Sequence, residues 1–311
     1  MVSGAMGGLH NGMQQLPGGV FAMGSDRFYP EETPVRQVRV DAFWIDERPV
    51  TNEQFAAFVA ATGHVTVAEQ APDPKIYSNM RPEMMQPGSA VFDMPTGTTD
   101  QAGWWDFRAG ANWRAPHGAG SSIEGIEDHP VVHVAHADAE AFARWAGKAL
   151  PTEAEWEFAA RGGLEGADYA WGDELAPHGA MLANYWQGTF PYTNSLADGY
   201  LRTSPAGSYP ANGYGLYDMI GNVWEWTDDW YAEALNAKRS QRACCVPANP
   251  RGGTRGGSIV KNDPTRIPRK VMKGGSHLCA ENYCQRYRPA ARYAQPIDTT
   301  TSHVGFRCVV R

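Results

Sequence analysis

Cysteine is scarce in this sequence, five among 311 residues, which excludes a scaffold built on disulfides. No apolar run approaches the roughly 18 residues that a membrane-spanning helix needs, so no membrane partner is expected. The opening stretch MVSGAMGGLHNGMQQLPGG has neither the basic n-region nor the apolar h-region of a secretory signal. We therefore expect a cytoplasmic protein, in which a close cysteine pair points to catalysis or metal binding rather than to a structural bridge. A phosphate-binding loop, a dinucleotide fingerprint and a nucleophile elbow are all missing, which argues against the common nucleotide-binding and hydrolase sites. No linker, internal repeat or low-complexity tract interrupts the chain.

Basic charge is also short, 27 Lys and Arg against 34 Asp and Glu. Before Arg269 the balance is 19 against 32, and from Arg269 onward it is eight against two. An acidic bulk argues against nucleic acid as a partner and suits a basic ligand. The late basic residues gather around Cys279 and Cys284.

What is plentiful is Gly (34), Pro (22) and Trp (11), the composition of a loop-rich chain whose aromatic side chains pack against irregular backbone. Charged residues at 20% and hydrophobic ones at 42% suffice for a globular core. Two capping boxes, Thr51–Gln54 and Thr152–Glu155, predict helices ending at Gly63 and at Gly162-Gly163. A third helix is expected from Asp138 through Phe142 and Trp145 to Gly147. Short strands are predicted at 36–40, 42–45, 131–134, 223–227 and 305–310. Most of 66–127 and 169–270 reads as loop. The fold class is α+β, in one compact domain.

The segment GGSHLCAENYCQRYR, Gly274 to Arg288, raises the chemical question. In a strand the two sulfur-bearing residues would stand about 16 Å apart, and on a helix about 140° apart around the axis. Only a turn lets Cys279 and Cys284 share a ligand. Nearby Arg286 and Arg288 favour thiolates, two thiolates are too few for four-coordinate zinc, and soft two-thiolate ligation suits copper(I). Spacing alone leaves a disulfide or redox pair equally open. His277 is read as an exposed or core-satisfied histidine rather than a ligand, Cys308 as a buried free thiol, and Cys244-Cys245 as an incidental loop pair. His129 and His133, in HPVVHV, are read as strand histidines rather than a helical metal face.

LPGGVFAMGS, VTNEQFAAFV, HPVVHV, ARWAGKALPTEAEWEFAARGG, WGDE, NGYGLYDMIGNVWEW, MKGGSHLC and HVGFRC occur in one order. Together they resemble the formylglycine-generating enzyme (sulfatase-modifying factor) family, from about Leu16 to Arg311. The resemblance implies a loop-rich, C-type-lectin-like fold for a single catalytic domain, 16–311, behind a weakly ordered tail, 1–15. It implies a copper-dependent oxidase converting cysteine in a Cys-x-Pro/Ala-x-Arg segment of unfolded sulfatases to Cα-formylglycine. Cys279 and Cys284 would hold Cu(I); O2 and an external thiol would complete the chemistry, through a thioaldehyde that water hydrolyses. Ser276 and Tyr283 match positions that orient substrate or oxygen, and Trp224 an aromatic that walls the oxygen pocket. Arg286, Trp104, Trp105 and His303 are expected at the substrate, with Trp113 a further candidate for the peptide groove. His303 stands where many relatives have asparagine, and Ala280-Glu281 replaces a His-Arg pair. Two calcium sites are implied: Asn184, Tyr185, Asp198 and Tyr200, then Asp218, Gly221, Val223 and Glu225. Hard oxygen ligands fit Ca2+, although DMIGN is also good turn chemistry. A monomer is expected. The rival readings are a metal-free dithiol oxidase and a lectin-like binding module.

Overall fold

The computed structural model describes residues 8–95, 103–233 and 246–311; Cys244 and Cys245 lie outside them. Thr51 starts the first helix as its sequence predicts. Its hydroxyl accepts the Gln54 N–H (3.3 Å) while the Gln54 side chain accepts the Thr51 N–H (3.0 Å). Helix α1, Asn52–Thr62, stops at Gly63, whose φ of 69° lies in the left-handed region that glycine tolerates. Helix α2, His136–Trp145, begins two residues before the expected Asp138. Asp138 is not the first residue but a cap reaching back, its carboxylate accepting the Ala135 N–H at 2.9 Å. Helix α3, Glu153–Arg161, is capped by Thr152 and Glu155 and stopped by Gly162.

Eleven short strands are found among the described residues. They are β1 (Met13–Leu16), β2 (Gly19–Met23), β3 (Arg36–Val40), β4 (Phe43–Asp46), β5 (Gly88–Phe92) and β6 (Trp105–Ala109), followed by β7 (Trp224–Trp230), β8 (Arg269–Lys273), β9 (Arg292–Pro296), β10 (Val304–Gly305) and β11 (Val309–Val310). A four-stranded sheet has the order β10-β7-β8-β9 and a three-stranded sheet β1-β4-β11, while β2-β3 and β5-β6 are separate pairs. Only β10 runs parallel to its partner, β7.

Four expectations change. Strand β1 pairs with β4 from Met13 to Leu16, so the ordered fold begins before the expected boundary at Leu16. The β5-β6 pair lies inside a stretch read as loop; β6 is exposed at Trp105, Asp106 and Ala109, half-buried at Phe107 and Arg108, and lacks an apolar stripe. Val131–Val134 is not a strand, because His133 turns the chain with φ 61°. The single terminal strand is two pieces in different sheets, β10 against β7 and β11 against β4. Cys308, between them, is free and buried, as expected.

The main core draws on both ends of the chain, from Leu16 to Val309. Helix α3 is buried along its whole length, polar residues included. Glu157 there meets Lys273 (2.9 Å) and Arg161 (2.7 Å). Burial alone would raise its pKa, but these two cations hold it down at about 2. Glu153 meets Arg292 at 2.6 Å. These pairs fasten α3 beneath β8 and β9, the strands that deliver the cysteine segment. No helix among the described residues is long and apolar enough to cross a membrane.

Candidate active site

Strand β8 ends at Lys273, and Gly274-Gly275 turn the chain sharply with φ of 92° and 71°. A Cβ on Gly275 would stand 2.6 Å from the Arg286 carbonyl oxygen. Glycine is required there because the incoming and outgoing arms of the segment touch backbone to backbone. Between the arms, Cys279 donates its N–H to the Ser276 carbonyl (2.9 Å), and Cys284 donates to Ala280 (2.8 Å). These two successive turns give a geometry that neither a regular strand nor a regular helix provides. It brings Cys279 Sγ to 3.3 Å from Cys284 Sγ. A disulfide bond is about 2.05 Å long; both thiols are free.

The two sulfurs differ in environment. Cys279 is buried and Cys284 is half-buried. Burial pushes the Cys279 thiol well up, reinforced by its neighbour Cys284. The Cys279 S–H and the Arg286 guanidinium, 3.8 Å away, draw Cys284 down to about 6. Of the two, Cys284 is the sulfur whose surroundings favour the thiolate, and Cys279 the one that favours the thiol. Arg286 is itself positioned from the other end of the chain: Nη2 donates to Glu31 (2.6 Å) and its guanidinium lies 3.9 Å over the Tyr29 ring. Arg288 instead turns inward to Glu32 (Nη1–Oε2, 2.9 Å) and is fully buried. Arg286 thus serves the thiolate, and Arg288 the core.

In metal-free protein, alkylation of Cys284 by iodoacetamide should rise through about pH 6, because only the thiolate attacks. Arg286→Ala should move that midpoint upward by roughly one unit, about 1.4 kcal/mol of lost thiolate stabilisation. Peptide mapping after timed alkylation reads this directly; an unmoved midpoint would mean the guanidinium does not act on the sulfur.

The sulfurs floor a cavity of about 430 Å³ whose walls include Trp105, Trp224, Ser276, Tyr283, Arg286 and His303. Trp224 and Ser276 are buried. Tyr283, more than half exposed, stacks on Phe190 at 4.4 Å, and Trp104 packs edge-on against both rings. Trp105 lies 4.8 Å from the His303 ring, and His303 Nδ1 is 2.8 Å from the Thr301 hydroxyl. Burial in this wall pushes His303 down to about 3, so the imidazole is neutral. Trp113 does not reach the groove: it is 1% exposed and packs on Phe55 in the core.

His277, His133 and His129 serve structure. His277 Nδ1 donates to the Asn222 carbonyl (2.8 Å) and is buried. His133 bonds to Ser89 and to the Pro116 carbonyl, whereas His129 bonds to Thr203, so the two do not face a common ligand.

Of the oxygen-rich loops, the first brings Asn184 and Asp198 to Tyr185 and Tyr200. Asp198 accepts the N–H of Tyr200 (3.0 Å) and of Tyr185 (3.2 Å). Asn184 Oδ1 is buried with no hydrogen-bond partner, a cost that a cation would relieve. In the second loop Asp218 is half-buried, accepts the Gly207 N–H at 2.6 Å, and is pushed up to about 6 by desolvation, with Glu225 adding to it. Glu225, however, spends both carboxylate oxygens on Arg307 and Trp156. Both loops contain oxygen donors, and the first holds a buried side-chain oxygen without a partner.

The sequence reading missed Glu31 and Tyr29. Nothing local marks them, since their partners lie about 255 residues away.

Comparison with known proteins accords with this geometry. The chain is 53% identical to the formylglycine-generating enzyme of Mycobacterium tuberculosis over 297 residues, covering 94% of this chain and 96% of that protein. It is also 42% identical to a Bos taurus protein named inactive C-alpha-formylglycine-generating enzyme 2, covering 95% and 87%. Overall similarity thus spans proteins of both kinds, and the cysteine pair has to carry the functional argument. The solved structure of PvdO from Pseudomonas aeruginosa shares the fold, with a TM-score of 0.64 at 22% identity over 96% of this chain and 94% of that one. Residues 7–311 match the sulfatase-modifying factor enzyme 1-like domain, and the chain belongs to that family.

Proposed function

We propose that this chain is a copper-dependent oxidase that converts a cysteine in an unfolded sulfatase segment, Cys-x-Pro/Ala-x-Arg, to Cα-formylglycine with O2 and an external thiol. The observation that carries this reading is the pair of free sulfurs 3.3 Å apart at the base of an aromatic-walled cavity. Among the described residues, no His, Asp or Glu joins the two sulfurs as a third close donor. The set is too small for tetrahedral zinc and suits copper(I). Cys279 and Cys284 would hold the ion, which when bound supplies soft ligation for the substrate thiolate and one-electron chemistry with O2.

The chain's own residues do the rest. The Cys279 S–H and Arg286 favour the Cys284 thiolate, the form that binds metal, so protons compete with the ion as pH falls. Trp224, Ser276 and His303 wall the space that a substrate side chain enters. Tyr283, Phe190 and Trp104 form an apolar rim for extended peptide. The acidic surface suits the substrate arginine.

Mass spectrometry of a Cys-x-Pro-x-Arg peptide incubated with protein, Cu(I), thiol and air tests the proposal. The expected result is the mass loss of thiol-to-aldehyde conversion, dependent on copper. The nearness of the sulfurs also favours a dithiol oxidase cycling through a Cys279–Cys284 disulfide. Activity that survives stringent copper removal would select that alternative.

Asn184 Oδ1 with Asp198, and the carbonyls of Tyr185 and Tyr200, would hold one Ca2+. A second Ca2+ at Asp218, with the carbonyls of Gly221 and Val223, requires Glu225 to share its carboxylate with Arg307. Chelation by EGTA should lower the melting temperature without removing copper. At 100- to 1,000-fold saturation the lost stabilisation is about 2.7–4.1 kcal/mol. If Ca2+-loaded protein melts unchanged after chelation, the loops are turns capped by their acids.

A further inference from the structure

We propose that His136, Glu140 and Asp228 form a divalent transition-metal site that clips the first turn of α2 to β7. His136 and Glu140, four residues apart on α2, share a helix face, and Asp228 comes across from β7. One ligand atom from each lies within 4.8 Å of the others.

His136 Nε2 is 3.2 Å from the Thr227 carbonyl oxygen. A carbonyl only accepts, so Nε2 is the N–H. The ring is buried and neutral, its pKa pushed down to about 3 by that burial. Nδ1 therefore presents a lone pair, and it faces Glu140 Oε2 at 3.8 Å. A lone pair and two carboxylates thus converge, an arrangement that favours a cation between them.

The neighbouring cations do not fill this place. Lys270 Nζ binds the Asp228 carbonyl (2.7 Å) and Oδ1 (3.2 Å) and lies over the Trp230 ring. Arg251 Nη2 binds Asp228 Oδ2 at 2.6 Å. Arg144 is 3.9 Å from Glu140 on the helix surface, with its side chain 71% exposed. Among the described hydrogen bonds none of the three reaches His136, and each Asp228 oxygen keeps a lone pair.

A histidine whose second ring nitrogen donates to a backbone carbonyl is the usual form of a metal ligand, because that bond fixes the tautomer and aims the other nitrogen. One imidazole nitrogen and two carboxylate oxygens suit Zn2+, Co2+ or Mn2+ and leave positions for water. Donor atoms of a tetrahedral zinc site with bonds of ~2.0–2.1 Å stand about 3.4 Å apart. Glu140, half-exposed on the helix, has the rotamer freedom to close that difference. The site is chemically separate from the sulfurs: it is hard where they are soft, and it joins two elements where they face a cavity.

Co2+ is the probe. Full-length protein with Cys244, Cys245, Cys279 and Cys284 changed to serine, and preloaded with Ca2+, is titrated with Co2+ while its visible absorption is followed. One equivalent should bind without thiolate charge-transfer bands, and the His136 ring protons should show paramagnetic shifts. His136→Gln and Glu140→Gln should each weaken binding by at least ~10-fold, the scale on which even supporting residues of a metal site act. Wild-type affinity in Glu140→Gln, whose side chain lies outside the core, would overturn the site even if His136→Gln failed to fold. Failure of the four-serine protein to bind any Co2+ would overturn it as well.

Discussion

Serine at Cys279 or at Cys284 should abolish conversion of the Cys-x-Pro-x-Arg peptide, whereas serine at Cys244, Cys245 or Cys308 should leave it intact. A hydroxyl at either motif position leaves one thiol where two are needed, and it is a poor ligand for a soft ion. The two positions should fail for different physical reasons. Losing Cys284 removes the resident thiolate, the group Arg286 holds 3.8 Å away. Losing Cys279 removes the buried donor whose S–H helps to keep Cys284 ionised. Copper stoichiometry should fall in both variants, while circular dichroism stays native, since neither sulfur fills a large core volume. Near-normal peptide oxidation by either variant would remove the copper-thiolate assignment altogether. Loss of turnover with copper binding intact would favour the dithiol alternative.

Arg307→Ala should cost about 3–5 kcal/mol of folding stability, the range for removing one partner of a buried ion pair. Arg307 is fully buried. Its Nε and Nη2 donate to Glu225 at 2.8–3.0 Å, Nη2 also donates to the carbonyls of Tyr217 and Asp218, and Nη1 donates to that of Asp46. Alanine would strand the Glu225 carboxylate with only the Trp156 N–H for company (2.7 Å). Glu225 adjoins Trp224 on β7, so the wall of the cavity should loosen with it. Arg307→Met combined with Glu225→Gln should recover much of the loss, because the cost comes from an unpaired charge rather than from missing attraction. Denaturant midpoints at unchanged m-value measure both variants. A loss below about 1 kcal/mol, the value of an exposed pair, would show that water reaches Glu225.

The helices were legible because their signals are local. Thr51 with Gln54, and Thr152 with Glu155, satisfy their own first-turn donors whatever surrounds them. Gly63 and Gly162 stop their helices by backbone sterics alone. The β5-β6 pair was not legible, since its stability comes from a partner strand 13 or more residues away and β6 keeps no buried face. Val131–Val134 misled for the opposite reason: its β-branched residues suit a strand, but bonds from Val131 to Val50 and from His133 to Thr301 pull the two ends to different places.

Residue types and order along the chain were enough to identify the family and the α+β loop-rich class, and to single out Cys279 with Cys284 as the pair on which the proposed chemistry rests. They also identified Ser276, Tyr283 and Trp224 as its neighbours. What the chain path had to add was every charge that acts at a distance. The pairing of Arg286 with Glu31, of Arg288 with Glu32 and of Arg307 with Glu225 joins residues 82 to 256 positions apart. The same holds for the meeting of His136 and Glu140 with Asp228. Backbone hydrogen bonding over three or four residues repeats wherever its side chains occur. An ion pair exists only where two distant segments arrive together, and in this fold that convergence decides which arginine touches the sulfur.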